Sequence, residues 1–296
     1  MDTFDIPEPF NSEKFELFQK GISDSPSTDV YINEAKDFLF LYPLPQTDYD
    51  QYIPRVKKYS LTAYKEKLQV IQRRLDKLRH LFENKPRSLL EIGAGDGSFL
   101  QAIRHQYPAV HLTAVDKDQN TRSQRAANCD EDYRDLDELL KEEKKFQVIC
   151  FFHVLEHVLA PAEFLSSIRT LMFPDSLLVI EVPSFFDPLL ALYHNEAYAR
   201  FYFQKQHPYV YSQPSLQRLL EHHGFQTIEL IKYQRYGLEN HLTWLCQGRP
   251  GGNEVLREAF KDVDAAYMAA LERYGKADTV IWVGKVTESC STGNVF

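Results

Sequence analysis

Residues 88–97 read SLLEIGAGDG, and this stretch decides the fold. A short apolar run ends in an acid and an isoleucine, and Gly93, Gly95 and Gly97 follow. Glycines allow a tight turn and let a ligand approach the backbone closely. Residues 98–106 then favour a helix, whose first amides attract an anionic group. The spacing G-x-G-x-G differs from the dinucleotide fingerprint G-x-G-x-x-G, and the G-K-[ST] of a P-loop does not occur here.

The same order of strand, turn and helix is repeated along the rest of the chain. Predicted strands cover residues 88–92, 111–115, 147–152, 177–182, 225–233 and 279–286. Predicted helices cover residues 98–106, 122–127, 161–172, 212–223 and 254–274. Strands that alternate with helices indicate an α/β fold with a doubly wound, mostly parallel sheet. Ligands bind beyond the carboxyl ends of such strands, so the residues just after each strand are the candidate site residues.

An acid ends the second predicted strand. Asp116 lies 23 residues after Gly93. A carboxylate in this place can accept hydrogen bonds from both hydroxyls of a ribose. Asp116 by itself could equally cap a turn. Together with the glycine turn, it predicts a ligand that contains adenosine.

Four ordered motifs resemble one known family, the class I S-adenosylmethionine-dependent methyltransferases. Residues 89–97 resemble the signature loop of that family, and Asp116 matches its ribose-binding acid. Residues 151–158, FFHVLEHV, resemble its fourth-strand motif, and residues 161–165 and 178–183 continue as the family does. The resemblance implies a Rossmann-like sheet of seven strands with the last strand antiparallel. It also implies that the chain is a methyltransferase with S-adenosylmethionine as its cofactor.

The resemblance implies a first set of cofactor ligands on the glycine loop. Glu91, Gly93 and Gly95 would face the methionine part of the cofactor, and Ala94 belongs to the same binding loop. Asp116 would hold the ribose.

A second implied set of ligands lies after the next strands. Lys117 would flank the adenine, and an acid after the third strand would meet the adenine amino group. Asp135 is the candidate for that acid and Asp130 is its rival, because the third strand is poorly defined in the sequence. Phe152 and His153 would line the pocket for adenosine and the methyl donor.

Three histidines are candidates for the general base. O-methylation needs a group that takes the proton of the acceptor hydroxyl, and neutral imidazole suits this near pH 7. His157 is the first choice, because it follows the fourth strand with Glu156 beside it. His153 and His207 are the other two candidates. O-methylation is favoured over C- or N-methylation on these histidines alone.

Two stretches are candidates for contact with the acceptor. Residues 193–211 are rich in aromatic side chains and predict either a substrate lid or a packed helical cover. Further along, Arg235, Asn240 and His241 could meet hydroxyls or phosphate of the acceptor, or could cap an inserted helix.

The chain is predicted to have three parts. Residues 1–86 form an N-terminal extension that packs on the core, irregular over 1–60 and followed by an amphipathic helix. The apolar face of that helix could dock on the domain, form a dimer seam or meet an anionic partner. Residues 87–288 form the methyltransferase domain, with a helical insertion at 235–277, and residues 289–296 form a polar tail.

Composition limits the partners and the compartment. The chain has 296 residues and a formal net charge of −8, which disfavours a nucleic-acid partner. No apolar run approaches the length of a membrane span, and the first residues do not resemble a secretory signal. The four cysteines are scattered and predict reduced thiols, with neither disulfides nor a zinc or other metal site. These features predict a cytoplasmic enzyme, with a homodimer as one expected assembly.

The sequence therefore predicts a methyltransferase that acts on a small-molecule or glycan-like acceptor. A catalytically inactive scaffold or regulator that binds S-adenosylmethionine is the alternative. A nicotinamide-dependent oxidoreductase is disfavoured by the G-x-G-x-G spacing.

Overall fold

The computed structural model describes residues 6–45 and 61–287. Its strands are β1 (Phe15–Gln19), β2 (Asp29–Asn33), β3 (Phe38–Tyr42), β4 (Ser88–Ile92), β5 (His111–Val115), β6 (Glu131–Tyr133), β7 (Phe146–Phe152), β8 (Met172–Pro183), β9 (Tyr209–Tyr211), β10 (Phe225–Tyr233) and β11 (Thr279–Val286). Its α-helices are α1 (Leu61–Leu78), α2 (Ser98–Gln106), α3 (Arg122–Ala126), α4 (Leu136–Leu140), α5 (Pro161–Thr170), α6 (Pro188–Ala191), α7 (Glu196–Tyr202), α8 (Gln213–His222), α9 (Leu238–Gln247) and α10 (Glu254–Tyr274).

Seven strands form one sheet in the order β10-β11-β8-β7-β4-β5-β6. β4 pairs in parallel with β5 on one side and with β7 on the other, whereas β11 is antiparallel to both of its neighbours. This order confirms the predicted doubly wound, Rossmann-like sheet. The chain reverses direction across the sheet between β4 and β7, so the carboxyl ends of these two strands flank the switch point where ligands bind.

The N-terminal stretch is more regular than its six prolines suggest. We expected residues 1–60 to be irregular, but β1, β2 and β3 form an antiparallel sheet that β9 completes. Both faces of β3 are buried: Phe38 and Phe40 pack into the main core, and Leu39 and Leu41 into a separate cluster with Phe203. The prediction of an irregular segment was therefore wrong for residues 6–45, because prolines in the turns concealed short strands. Residues 1–5 and 46–60 lie outside the described part of the chain.

The amphipathic helix is confirmed as α1, and a 3-10 turn, Arg79–Phe82, continues it. Ile71, Leu75 and Leu78 are buried in a cluster with Phe99 and other residues of β4 and α2. This face packs against the chain's own core, which is the docking alternative. Leu68, further toward the start of the same face, is 38% exposed, and a homodimer stays a prediction.

Two helices, α9 and α10, lie between β10 and β11, and α10 begins and ends where the sequence predicted. This helix leaves part of its apolar surface exposed: Val255 and Tyr274 are each 78% accessible, while Leu271 is buried. The division of the chain at residues 86 and 288 stays a prediction, and the polar tail at 289–296 lies outside the described residues. No helix in the described ranges is long and apolar enough to cross a bilayer.

Candidate active site

The glycine loop joins the end of β4 to α2 and is held against the end of β5. The amide of Gly93 donates to the carbonyl of Val115 at 2.8 Å, and that of Ala94 to the same oxygen at 3.3 Å. Gly93 has φ +74°, and a Cβ there would lie 2.4 Å from Cγ2 of Val154, so both the backbone and the packing require glycine. Gly95 also has positive φ, but no atom lies within 4 Å of its Cβ position. The loop is therefore open on the side of Gly95, where a ligand can approach the backbone.

Asp116 connects the end of β5 to that open side. One carboxylate oxygen accepts the amide of Gly95 at 2.6 Å, and the other accepts the amide of Asp118 at 2.6 Å. Each oxygen of a carboxylate has two acceptor positions, so both can accept a further hydrogen bond. The half-buried carboxylate is thus suited to the two hydroxyls of a ribose. Lys117, the next residue, is exposed beside it.

Arg125 stabilises this arrangement through hydrogen bonds, a role that was not predicted from the sequence. Its side chain is fully buried. It donates to the carbonyl of Gly95 at 2.8 Å and to the carboxylate of Asp132 on β6 at 2.6 Å. The glycine loop, β5 and β6 are thereby linked through one guanidinium. Arg125 lies in a short polar helix, and nothing in its sequence context indicates this role.

Glu91 supplies a buried carboxyl group beneath the loop. Burial raises the pKa of Glu91 well above its usual value, although the nearby Arg74 guanidinium opposes the shift. Its Oε2 is buried and has no hydrogen-bond partner. A buried polar atom without a partner is costly, and the amino group of a methionine moiety would satisfy it. The open backbone at Gly95, the carboxylate of Asp116 and this orphaned oxygen together fit S-adenosylmethionine.

The two candidate adenine acids lie at opposite edges of the sheet. Asp135 follows β6 on the same edge as the glycine loop, and its side chain caps α4 by accepting the amide of Glu138 at 2.9 Å. Asp130 precedes β6, and its carboxylate accepts the amide of Leu112 near the amino end of β5. The position of Asp130 disfavours it as an adenine ligand, whereas Asp135 stays the predicted one.

Phe152, at the end of β7, contacts a buried ion pair that the sequence analysis did not identify. The guanidinium carbon of Arg74 lies 4.2 Å from the centre of the Phe152 ring. Arg74 donates two hydrogen bonds of 2.6 Å to the carboxylate of Glu181 on β8. Two signals were present in the sequence. Arg74 interrupts the apolar face of α1 between Ile71 and Leu78, and Glu181 is an acid within an otherwise apolar strand.

His153 follows β7 with a left-handed backbone, φ +57°, and its ring lies between two carboxylates. Nδ1 is 3.1 Å from Oε1 of Glu156, and Nε2 is 3.0 Å from Oε1 of Glu181. The guanidinium of Arg235 also contacts Nε2. Burial and Arg235 lower the pKa of His153, but the two carboxylates raise it more, so the net shift is upward. Both ring nitrogens already contact charged side chains, which makes His153 poorly suited to accept a proton from an acceptor hydroxyl.

His157 and His207 meet beside Glu156. Their ring centres are 4.7 Å apart, and Nδ1 of His157 lies 2.7 Å from the carbonyl oxygen of Gln206. Because a carbonyl can only accept, Nδ1 carries the proton and the lone pair of the neutral ring lies on Nε2. Burial lowers the pKa of His207 to about 4, so this ring is neutral at pH 7. The structure therefore brings all three predicted histidines together around one buried carboxylate.

The predicted acceptor-side residues are only partly brought together. A cavity of about 410 Å³ lies between α1, α7 and α9. Its lining includes Arg73, Tyr198, Phe201, Arg235, Asn240 and Trp244. Arg235 joins this cavity to His153, whereas His241 is buried within the insertion with Nδ1 2.6 Å from the hydroxyl of Tyr267. The aromatic side chains of α7 therefore line a cavity, and His241 does not.

Comparisons with known proteins show the family and the fold of the chain. A family model described as "Methyltransferase domain" matches residues 64–230, more than half of the chain. A search of curated proteins found no match. Among solved structures, a SAM-dependent methyltransferase from Archaeoglobus fulgidus is 22% identical, with a TM-score of 0.52. The alignment covers 76% of this chain and 98% of that one. This likeness shows the shared fold.

Two further structures are more distant. The plantazolicin methyltransferase BpumL is 17% identical with a TM-score of 0.48, over 76% of this chain and 86% of that one. The mitomycin 7-O-methyltransferase MmcR is 13% identical with a TM-score of 0.47, over 76% and 55%.

The chain belongs to the methyltransferase-domain family. The strand order of its sheet, the glycine loop and Asp116 make it a class I methyltransferase, an enzyme whose methyl donor is S-adenosylmethionine.

Proposed function

We propose that this enzyme methylates a hydroxyl group of a small-molecule or glycan-like acceptor. The observation that carries the proposal is the cluster that Glu156 and His157, which follow β7, form with His207, which precedes β9. Val154, in the same turn, packs against Gly93 of the cofactor loop. Groups that can move a proton therefore lie next to the place where the methyl donor binds.

His157 is the proposed proton acceptor. His153 is held between two carboxylates, and the lowered pKa of His207 makes it a weak base near pH 7. When bound, S-adenosylmethionine supplies a methyl group on a positively charged sulfur, which becomes a neutral thioether as the new oxygen–carbon bond forms. The chain's own residues orient the two reactants, exclude water and take the hydroxyl proton.

The cavity between α1, α7 and α9 is the proposed acceptor site. Its volume of about 410 Å³ is within the usual range for small-molecule pockets. Tyr198, Phe201 and Trp244 offer flat apolar surfaces, which suit an aromatic ring or the face of a sugar. Arg73 and Asn240 offer hydrogen-bond donors for acceptor oxygens.

A reducing compartment is proposed as well. Cys129, Cys150 and Cys246 are free thiols, and Cys150 is buried within the sheet. Unpaired cysteines of this kind support a cytoplasmic location.

Formation of S-adenosylhomocysteine from a panel of hydroxylated aromatic and sugar acceptors tests the proposal. With an accepted substrate, His157→Gln should lower kcat by roughly 10²-fold, because the hydroxyl loses its proton acceptor, while cofactor affinity is retained. His105→Gln, on the exposed end of α2, is the matched control and should leave kcat unchanged. Full activity of His157→Gln would remove His157 from the mechanism. Cofactor binding without turnover on any acceptor would favour the inactive scaffold instead.

A further inference from the structure

Glu156, His157 and His207 converge in a way that proton transfer alone does not require. Each side chain offers one ligand atom, and the three atoms lie within 4.8 Å of one another. Among the residues that the structure describes, this is the one group of three such side chains. We propose that the cluster binds a divalent transition-metal ion, for which zinc is the best match.

Glu156 provides the negative charge that such an ion needs. The residue is only 2% accessible, and its Oε1 is the oxygen that faces His153. Its Oε2 is buried and has no hydrogen-bond partner. An unsatisfied buried oxygen on an ionised carboxylate destabilises the fold, because that oxygen has lost its hydrogen bonds to water and has no protein donor in their place. A cation bound to Oε2 would remove that cost.

The surroundings of the two histidines orient their rings toward the cluster. The carbonyl of Gln206 fixes the proton of His157 on Nδ1 and so leaves the lone pair on Nε2. An outer partner of this kind usually orients a ligating imidazole. The ring of His207 lies against that of His157, with 4.7 Å between the ring centres.

The donor set favours zinc over the alkaline-earth ions. Two imidazoles and one carboxylate are typical of zinc sites that keep a fourth position open, whereas calcium and magnesium prefer oxygen ligands. Ligand atoms around a tetrahedral zinc ion lie about 3.4 Å apart. The present spacing of up to 4.8 Å would close by small rotations of the side chains.

The consequence for catalysis rests on the proposed function, whereas the metal site does not. A bound ion lowers the pKa of a hydroxyl that coordinates it. In that case the hydroxyl bound to the ion would lose its proton to solvent water, and His157 would act as a ligand of the ion instead of taking the proton itself. A metal site at Glu156, His157 and His207 differs from the prediction of a chain without a metal, which was based on the cysteines alone.

Cobalt(II) is the probe, because its visible absorption reports coordination by nitrogen and oxygen ligands without any need for turnover. The full chain is stripped with a chelator, titrated with Co²⁺, and then titrated with Zn²⁺ in competition. We expect one saturable visible band per chain, abolished by Zn²⁺. His207→Gln and Glu156→Gln should each weaken binding by more than about 100-fold, which exceeds the effect of losing an outer partner. His80→Gln, whose ring is exposed on α1's terminal turn and pairs with Glu229, is the matched control.

Two results would overturn the proposal: no cobalt band with folded protein, or a band that both cluster variants retain. Circular dichroism checks that each variant is folded, and if Glu156→Gln fails to fold, His207→Gln decides. Binding of S-adenosylhomocysteine and methyl transfer are measured on the same samples. A metal site without transfer would refute the proposed function alone, and transfer by stripped protein that shows no cobalt band would refute the metal site alone.

Discussion

Replacement of Asp116 by alanine tests the cofactor site most directly. The carboxylate accepts the amides of Gly95 and Asp118, each at 2.6 Å, and has acceptor positions left for the ribose. Asp116→Ala removes these acceptors, so the ribose hydroxyls lose a charged partner. A hydrogen bond to a charged group contributes about 1.5–3 kcal/mol. The dissociation constant for the cofactor should therefore rise about 10- to 150-fold.

The fold should survive this change. Asp116 is only half-buried, and the loop keeps two other supports: the bonds of Gly93 to Val115 and of Arg125 to Gly95. Two hydrogen bonds to a charged group contribute about 3–6 kcal/mol, and the loss in unfolding free energy should be smaller, because water can reach the half-buried amides and replace the carboxylate. Binding is therefore compared at a temperature at which both proteins are folded.

Isothermal titration with S-adenosylhomocysteine measures the change, and Asp130→Ala is the matched control. Asp130 also accepts a backbone amide and pairs with an arginine, but it lies at the opposite edge of the sheet. Its replacement should lower stability without affecting the dissociation constant. An unchanged dissociation constant for Asp116→Ala, or an equal loss in both variants, would refute this assignment of the ribose site.

Two further predictions concern buried charges. Arg74→Met leaves Glu181 buried without its bidentate partner, so the free energy of unfolding measured in urea should fall by about 3–5 kcal/mol. Arg73→Met replaces the half-buried neighbouring arginine and should lower this free energy much less. Equal losses in the two variants would contradict the prediction. Burial raises the pKa of Asp187 to about 7 although the Tyr198 hydroxyl donates to it. Between about pH 4 and 7 the folded chain then holds a proton that the unfolded chain has released, so stability should fall as pH rises through this range. Asp187→Asn should flatten that part of the curve, and identical slopes for the two proteins would disprove the assignment.

Local patterns determined the fold class. Apolar strands that alternate with helices predicted a doubly wound, mostly parallel sheet and the bounds of β10, β11 and α10. β6 escaped prediction, because Glu131–Tyr133 carries no apolar run and is a strand only through its pairing with β5. The strands before residue 45 escaped it for a related reason. Each is five residues long, and β3 completes its sheet with β9, which is distant in sequence.

The candidate site likewise has residues that could be predicted from the sequence and residues that could not. The glycine loop and Asp116 follow neighbouring strands, so the sequence alone placed them together at the end of the sheet where ligands of this fold bind. Only the tertiary structure decided what surrounds them. Arg74 reaches Glu181 across 107 positions, and His157 meets the backbone of Gln206 across 49. The protonation state of each histidine depends on such distant carboxylates, carbonyls and burial, and no local pattern of residues specifies these, because electrostatic energies depend on separation in space and not along the chain.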